Sequence, residues 1–376
     1  MTTFVKRTAV ELERVRTLPG RYFTSPEIFA EETEKIFTRR WLCAGRAEEL
    51  ARPGDYFLRQ VGPESLILLR DRAGAVRAFY NVCRHRGSRL CEAERGRFAG
   101  TIQCPYHAWT YGLDGRLIGA PSADTIEDFD RADWPLHRAA TAVWEGFVFL
   151  NLAEDPEPFE RAFAPVLSRF ERFNLPALRA ARRITYEVAC NWKLIFQNYS
   201  ECYHCAPVHP ALVKLSPPTS GENDLYRGPF LGGYMEIVDG KGSLTLSGRA
   251  CGVTVGALPP DDLHRVYYYS LFPNMLLSLH PDYVMYHMVW PRDPGRTTIE
   301  CEWLFHPDAL RDPAFDPGDA VGFWDLTNRQ DWHICELSQL GIRSSRYRPG
   351  PYSRRESLSA AFDREVLRSL GHDATA

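Results

Sequence analysis

The chain has little net charge for its length: over 376 residues, 45 Lys and Arg face 48 Asp and Glu, a formal −3. No run of Lys or Arg forms a nucleic-acid stripe or a basic membrane patch, so the expected partners are small molecules or other proteins. Long apolar stretches are also missing. The longest, YYYSLFPNMLLSL from Tyr267 to Leu279, is interrupted by Pro273 and is too short and polar to span a bilayer. MTTFVKRTAVELERVRTLPG alternates charge with apolar residues and lacks the apolar centre and small-residue cleavage site of an export signal. A soluble cytoplasmic protein is expected. No GxGxxG lies between a strand and a helix, no cysteine quartet has ferredoxin spacing, and neither internal repeats nor low-complexity segments occur.

Cysteine is not scarce. Ten are spread along the chain without an export signal, which reads as reduced thiols or metal ligands rather than a disulfide scaffold. The length suggests two domains with ample material for a core. Residues 1–40 carry helix-like periodicity, with Ser25-Pro26-Glu27 as a helix start, and read as a lead-in to the first domain. Residues 41–152 change to short runs such as YFLRQVG, SLILLRD, VRAFYNV and GFVFLNL, separated by turns such as DRAGA and GLDGR, which predicts an all-β domain of hairpins. Residues 153–376 predict an antiparallel α+β domain: a strand at ITYEVAC, one helix through KLIFQNYSECYH, strands at YMEIVDG, VYYYSLF, DYVMYHMVW and TTIECEWLF, and a helix from Gly318 to Leu340. The Pro- and Gly-rich stretch 210–231 is expected to be a mobile loop at the active site.

Two clusters carry chemistry. Cys83-Arg84-His85 and Cys104-Pro105-Tyr106-His107 pair one thiol with one imidazole in each of two loops. Two cysteines and two histidines can hold a tetrahedral zinc, or a 2Fe-2S cluster with both cysteines on one iron and both histidines on the other. Zinc fingers more often place their histidines together on a helix, whereas matched loops suit the cluster. Cys91 lies outside the pattern and reads as a core thiol. C-x-H-R-G followed by C-P-Y-H-x-W resembles the Rieske motif of the Rieske non-haem iron oxygenases. That resemblance implies Cys83 and Cys104 on one iron, His85 and His107 on the other, and an all-β Rieske domain over 41–152.

The second cluster lies in NWKLIFQNYSECYHCAPVH, residues 191–209, where Glu201, Cys202, His204, Cys205 and His209 could each bind a metal. On one helix Glu201 and His204 would share a face. Pro207 and Pro210 would stop that helix and let His209 swing back towards His204. Two histidines and one carboxylate leave positions open for O2, as in non-haem Fe(II) enzymes, and Asp325, Asp331 and Glu336 are candidates for the carboxylate. Alternatives are a Cys202-x2-Cys205 redox dithiol, a zinc site using those cysteines with one or both histidines, and a purely structural helix.

The resemblance extends over essentially the whole chain and favours His204, His209 and Asp331 as ligands of a mononuclear iron. It leaves Cys202 and Cys205 as bystanders packed beneath the helix. It further implies a helix-grip (START-like) catalytic domain over 153–376, a head-to-tail homotrimer, and a flavin-containing NAD(P)H-dependent reductase as partner, possibly with a ferredoxin domain. In the family, the carboxylate three residues before the first histidine links the two metal centres between subunits. Most members have Asp there. Glu201 resembles instead the branch of carnitine, choline and glycine betaine monooxygenases, which implies hydroxylation beside a quaternary nitrogen, with C–N cleavage or demethylation. An aromatic ring or aromatic acid is the alternative substrate, and a Rieske electron-transfer protein without oxygenase activity the alternative function. Aromatic faces would recognise a quaternary cation, and Tyr199, Tyr203, Tyr267, Tyr269, Phe272, Tyr283, Tyr286 and Trp290 are the candidates.

Overall fold

Short apolar runs broken by tight turns give hairpins, and between Phe37 and Phe163 they give little else. The computed structural model describes residues 15–373. In this first unit the strands are β1 (Leu42–Arg46), β2 (Asp55–Val61), β3 (Glu64–Arg70), β4 (Val76–Tyr80), β5 (Arg95–Arg97), β6 (Thr101–Gln103), β7 (Thr110–Gly112), β8 (Leu117–Gly119), β9 (Arg138–Trp144) and β10 (Phe147–Asn151). They form a seven-stranded sheet, β1-β10-β9-β4-β3-β2-β5, and a three-stranded sheet, β6-β7-β8. Strand β9, RAATAVW, is too small and polar to stand out in the sequence; its pairing with β4 and β10 decides its conformation. Ile67, Leu69, Phe79, Ile102 and Tyr111 share one buried cluster with Cys83 and Cys104.

The second unit combines the residues up to Ile36 with those from Ala164 onward. Its strands are β11 (Arg179–Val188), β12 (Asn223–Arg227), β13 (Phe230–Glu236), β14 (Arg265–Leu271), β15 (Met275–Leu279), β16 (Val284–Asp293) and β17 (Arg296–Phe305), in the antiparallel order β11-β17-β16-β15-β14-β13-β12. The long helix Gly318–Ile342 lies against this sheet, its Asn328 and Trp332 meeting His287 and Tyr186. The helix Trp192–Tyr199 packs its Trp192 and Phe196 against Phe362 of the last helix, Ser357–Leu370. This is the α+β arrangement expected, with two differences. The stretch 210–231 is not a loop throughout: it holds the helix Pro210–Leu215 and strand β12, because Pro210 favours a helix start and β12 pairs with β13. In addition, residues 15–36 pack with this second unit rather than leading into the first; residues 1–14 lie outside the described residues.

A buried ion pair accounts for that second difference. Lys193 and Glu32 are both fully buried and joined by a short charged hydrogen bond, and Trp192 Nε1–H donates to the other Glu32 oxygen at 2.8 Å. Removing either charge would leave its partner buried and unpaired, a cost of about 3–5 kcal/mol. Nearby, Asp363 accepts from Gln197 Nε2 and Tyr352 Oη, both at 2.6 Å. Burial pushes its carboxyl up to about 7, against those hydrogen bonds and the Lys193 charge. The unfolded chain releases this proton near the ordinary aspartate value, so the folded state binds more protons between about pH 4 and pH 7. Its contribution to stability is therefore full at low pH and lost as pH rises through 7. Thermal melts at pH 5 and pH 8 should show Asp363→Asn gaining on the wild type at the higher pH; parallel profiles would refute this.

Candidate metal centres

In the first unit, two loops of different sequence close in the same way. Cys83 N–H donates to Ser88 O (2.8 Å) and Gly87 N–H to Cys83 O (3.1 Å); Cys104 N–H donates to Trp109 O (2.8 Å) and Ala108 N–H to Cys104 O (3.1 Å). The residue four after each cysteine therefore takes a left-handed conformation, φ +74° at Gly87 and +57° at Ala108. Glycine adopts it without steric cost, whereas Ala108 must be held there by its loop. The loops bring the His85 and His107 rings within 4.7 Å, and Trp109 stacks on His85 at 4.8 Å with 6° between the planes. Both sulfurs are buried. Burial raises the Cys83 thiol against the Tyr111 and His85 hydrogen bonds, and the neighbouring Cys104 sulfur adds to the rise. Tyr111 Oη lies 3.3 Å from Cys83 Sγ and accepts from Arg84 N–H at 3.1 Å. The sequence motifs do not single out this hydroxyl, although hydrogen bonds to cluster sulfurs tune potential. Paired thiols and paired imidazoles in matched loops fit a 2Fe-2S cluster.

In the second unit the expected single helix ends at Tyr199, so Glu201 is not on it. Ser200 N–H and Oγ–H both bond back to Phe196 O, closing the turn. The Glu201 carboxylate then caps the next turn, accepting from Tyr203 N–H and from His204 N–H at 3.2 Å. Its other oxygen sits 2.7 Å from His204 Nδ1. Glu201 and His204 thus meet through a capped turn and not through helical spacing. A four-residue helix, Cys205–Val208, ends at His209, and Pro210 starts another. That break carries His209 back to the same point. His209 Nε2 lies 2.8 Å and His204 Nε2 3.2 Å from one oxygen of Asp331 on the long helix. Gln330 Oε1, from the adjacent position on that helix, accepts at His209 Nδ1 at 2.8 Å. Sequence reasoning missed Gln330; its place next to Asp331 was the available signal.

Among the described residues, His204, His209 and Asp331 are the group able to share a metal, with ligand atoms within 4.8 Å of one another. Asp325 is elsewhere, accepting from Tyr186 Oη (2.8 Å) and Arg329 Nε (3.0 Å), and Glu336 accepts from Ala189 N–H. Burial alone would lower His204, yet hydrogen bonds to Asp331 and Glu201 raise it to about 10. Burial alone would raise Asp331, yet both imidazoles hold it low. The field at this point favours a positive charge, and each histidine has a partner on its far nitrogen, as metal-ligating histidines usually do. Two Nε2 atoms and one carboxylate fit a mononuclear iron with open positions. Cys202 and Cys205 are not bystander thiols beneath a helix. They are joined to each other as a disulfide across the turn, with Cα atoms 4.9 Å apart, because the end of the helix lets their side chains converge.

A cavity opens beside these ligands, walled by Tyr199, Tyr268 and Trp324 with Leu212 and Leu231. Of the eight aromatic candidates, Tyr199 alone lines it. Register explains the rest: Tyr268 and Ser270 of β14 face the cavity, while Tyr267 and Tyr269 stack together on the opposite side, bonded to Asp262 and Asp224. Tyr203 is exposed, and Tyr286 is tied to Glu302. Tyr283 holds the wall from behind, its hydroxyl accepting from Trp324 Nε1 at 2.6 Å.

Residues 175–372 match the ring hydroxylating alpha subunit (catalytic domain) family, and residues 40–130 match the Rieske [2Fe-2S] domain. The chain belongs to the Rieske ring-hydroxylating alpha subunits. Members are oxidoreductases that use O2, with a Rieske 2Fe-2S cluster and a mononuclear iron, and they draw electrons from a reductase to act on a small molecule. The glycine betaine monooxygenase oxygenase subunit of Pseudomonas aeruginosa is 30% identical over 400 residues, covering 95% of this chain and 91% of that one. The carnitine monooxygenase oxygenase subunit of Acinetobacter pittii is 39% identical over 199 residues, 52% of this alpha subunit and 53% of its own length. The crystal structure of a quaternary ammonium Rieske monooxygenase with substrate gamma-butyrobetaine matches with a TM-score of 0.79 at 27% identity, covering 95% of this chain and 96% of that one. Among the described residues no helix is long and apolar enough to cross a membrane.

Proposed function

We propose that this chain is the oxygenase subunit of a monooxygenase that hydroxylates a quaternary ammonium compound of betaine, carnitine or choline type beside its nitrogen, releasing an aldehyde by demethylation or C–N cleavage. One observation carries the substrate class. Three aromatic walls stand beside His204, His209 and Asp331, with Tyr268 edge-on to both Tyr199 (6.2 Å) and Trp324 (6.1 Å), and no described residue lining the cavity is Lys or Arg. Such a corner suits a permanent cation, which aromatic faces attract. The absence of Lys and Arg among the described lining residues leaves no like charge to repel the ammonium, and it is this cationic end, not the carboxylate that a betaine or carnitine shares with an aromatic acid, that the aromatic faces select. Cys83, His85, Cys104 and His107 would hold the cluster, and His204, His209 and Asp331 the iron. Iron bound there supplies O2 activation, with electrons from the cluster. Glu201 would keep the Nδ1 proton of His204 in place, leaving Nε2 as the nitrogen that would hold iron.

Glu201 and His204 also border a second hollow on their other side, lined by Gln197, Ser338, Tyr347, Arg348 and Tyr352. A solved relative is described as revealing inter-subunit electron transfer. On that basis we propose a head-to-tail homotrimer in which the Rieske unit of a second copy covers this hollow, with a flavin-containing reductase upstream. Glu201 would then link the two centres, coupling electron to proton movement.

The test is substrate-dependent NADH and O2 consumption with a surrogate reductase, comparing betaines, carnitine and choline with aromatic acids. Aldehyde release from an amine supports the reading; a cis-diol from an aromatic substrate overturns it. Tyr268→Leu should raise KM for the cationic substrate roughly 2- to 30-fold. It should barely change binding of the neutral analogue with carbon in place of nitrogen. Equal effects on both would show that the ring contributes shape and not cation recognition.

A further inference from the structure

The two histidines facing Asp331 are held from behind by unlike groups. His204 Nδ1 meets a carboxylate, Glu201, at 2.7 Å; His209 Nδ1 meets a neutral amide oxygen, that of Gln330, at 2.8 Å. Gln330 and Asp331 are neighbours on one helix and take opposite ends of the same imidazole, whose residue is 1% exposed. A neutral imidazole carries a single N–H, and the partner of one nitrogen decides which nitrogen keeps the lone pair. An oxygen acceptor at Nδ1 fixes the proton there and leaves Nε2 as the ligand.

We infer that Gln330 is a positioning residue, which holds His209 in the Nδ1–H tautomer and at the ring angle that lets Nε2 bind iron, and does so without adding charge to the site. Asp331, Glu201 and the two histidines already place two carboxylates against the imidazoles. A neutral acceptor supplies the orientation without a third. The inference rests on the reading of His204, His209 and Asp331 as the iron site.

The experiment measures Fe(II) binding by anaerobic equilibrium dialysis of the full chain depleted of mononuclear iron, with cluster content checked by visible absorption. Gln330→Leu, which has no acceptor, should weaken Fe(II) binding 10- to 100-fold while cluster content and Tm hold. Gln330→Glu, which restores an acceptor, should bind within threefold of the wild type. Binding by Gln330→Leu within threefold of the wild type would overturn the inference. So would a tenfold loss in Gln330→Glu, since an acceptor would then not be what matters. If Gln330→Leu does not fold, Gln330→Met serves in its place with the same outcomes. Asp331→Ala in the same assay separates the two readings: if it keeps its iron, the site assignment itself has failed.

Discussion

Asp331→Ala should remove one iron per chain and leave the two of the Rieske cluster, with turnover falling below detection. Asp331 is the meeting point of both imidazoles, at 2.8 and 3.2 Å, and its carboxylate oxygen is the one negative donor among the three candidate ligands. Without it, His204 and His209 remain as two neutral donors beside an apolar cavity, too few to retain a divalent ion against dialysis. Iron analysis together with the visible spectrum of the cluster decides the matter. Asp325→Ala is the control, since that carboxylate serves Tyr186 and Arg329 and its loss should leave iron content unchanged. A wild-type chain holding only the two cluster irons would favour an electron-transfer protein instead.

Glu201→Gln should slow turnover about 10- to 100-fold or more while iron and cluster both stay bound. The amide oxygen of the variant can still cap the turn at Tyr203 and His204, so the fold should persist. What disappears is the charge 2.7 Å from His204 Nδ1, which helps hold that imidazole at about 10 and is proposed to couple proton to electron movement. The decisive measurement is the rate at which the reduced cluster reoxidises in the presence of substrate and O2. A slow rate with full metal content supports the role; near-normal turnover would remove Glu201 from the electron path.

Much of this was legible in the residues because the ligands sit in short, dense motifs. Both Rieske loops, both histidines and the break at Pro210 could be read directly. Phase and partnership could not. Nothing local in VYYYSLF tells which tyrosines of an alternating strand face inward; the long helix on one face of the sheet settles it, with Trp324 meeting Tyr268. Nor could the sequence show that the ligand helix stops at Tyr199, since the stop comes with a carboxylate reaching over to two amides, an interaction that helical spacing mimics at three residues. Asp331 and Asp325 are six residues apart and so lie on different faces of one helix; the resemblance favoured Asp331, and the placement of the long helix sets its carboxylate beside both histidines.

The pairing of Glu32 with Lys193 also bears on how the chain is made. The two charges are 161 residues apart in sequence, and the whole of Phe37–Phe163 is synthesised between them. Domains tend to close as they leave the ribosome, N-terminal first. Here the contiguous unit can do so, while the segment before it must wait with an unpaired carboxylate until Lys193 emerges. Glu32 can therefore meet Lys193 only after the whole of Phe37–Phe163 has been made, so the docking of the first segment depends on residues that follow the Rieske unit.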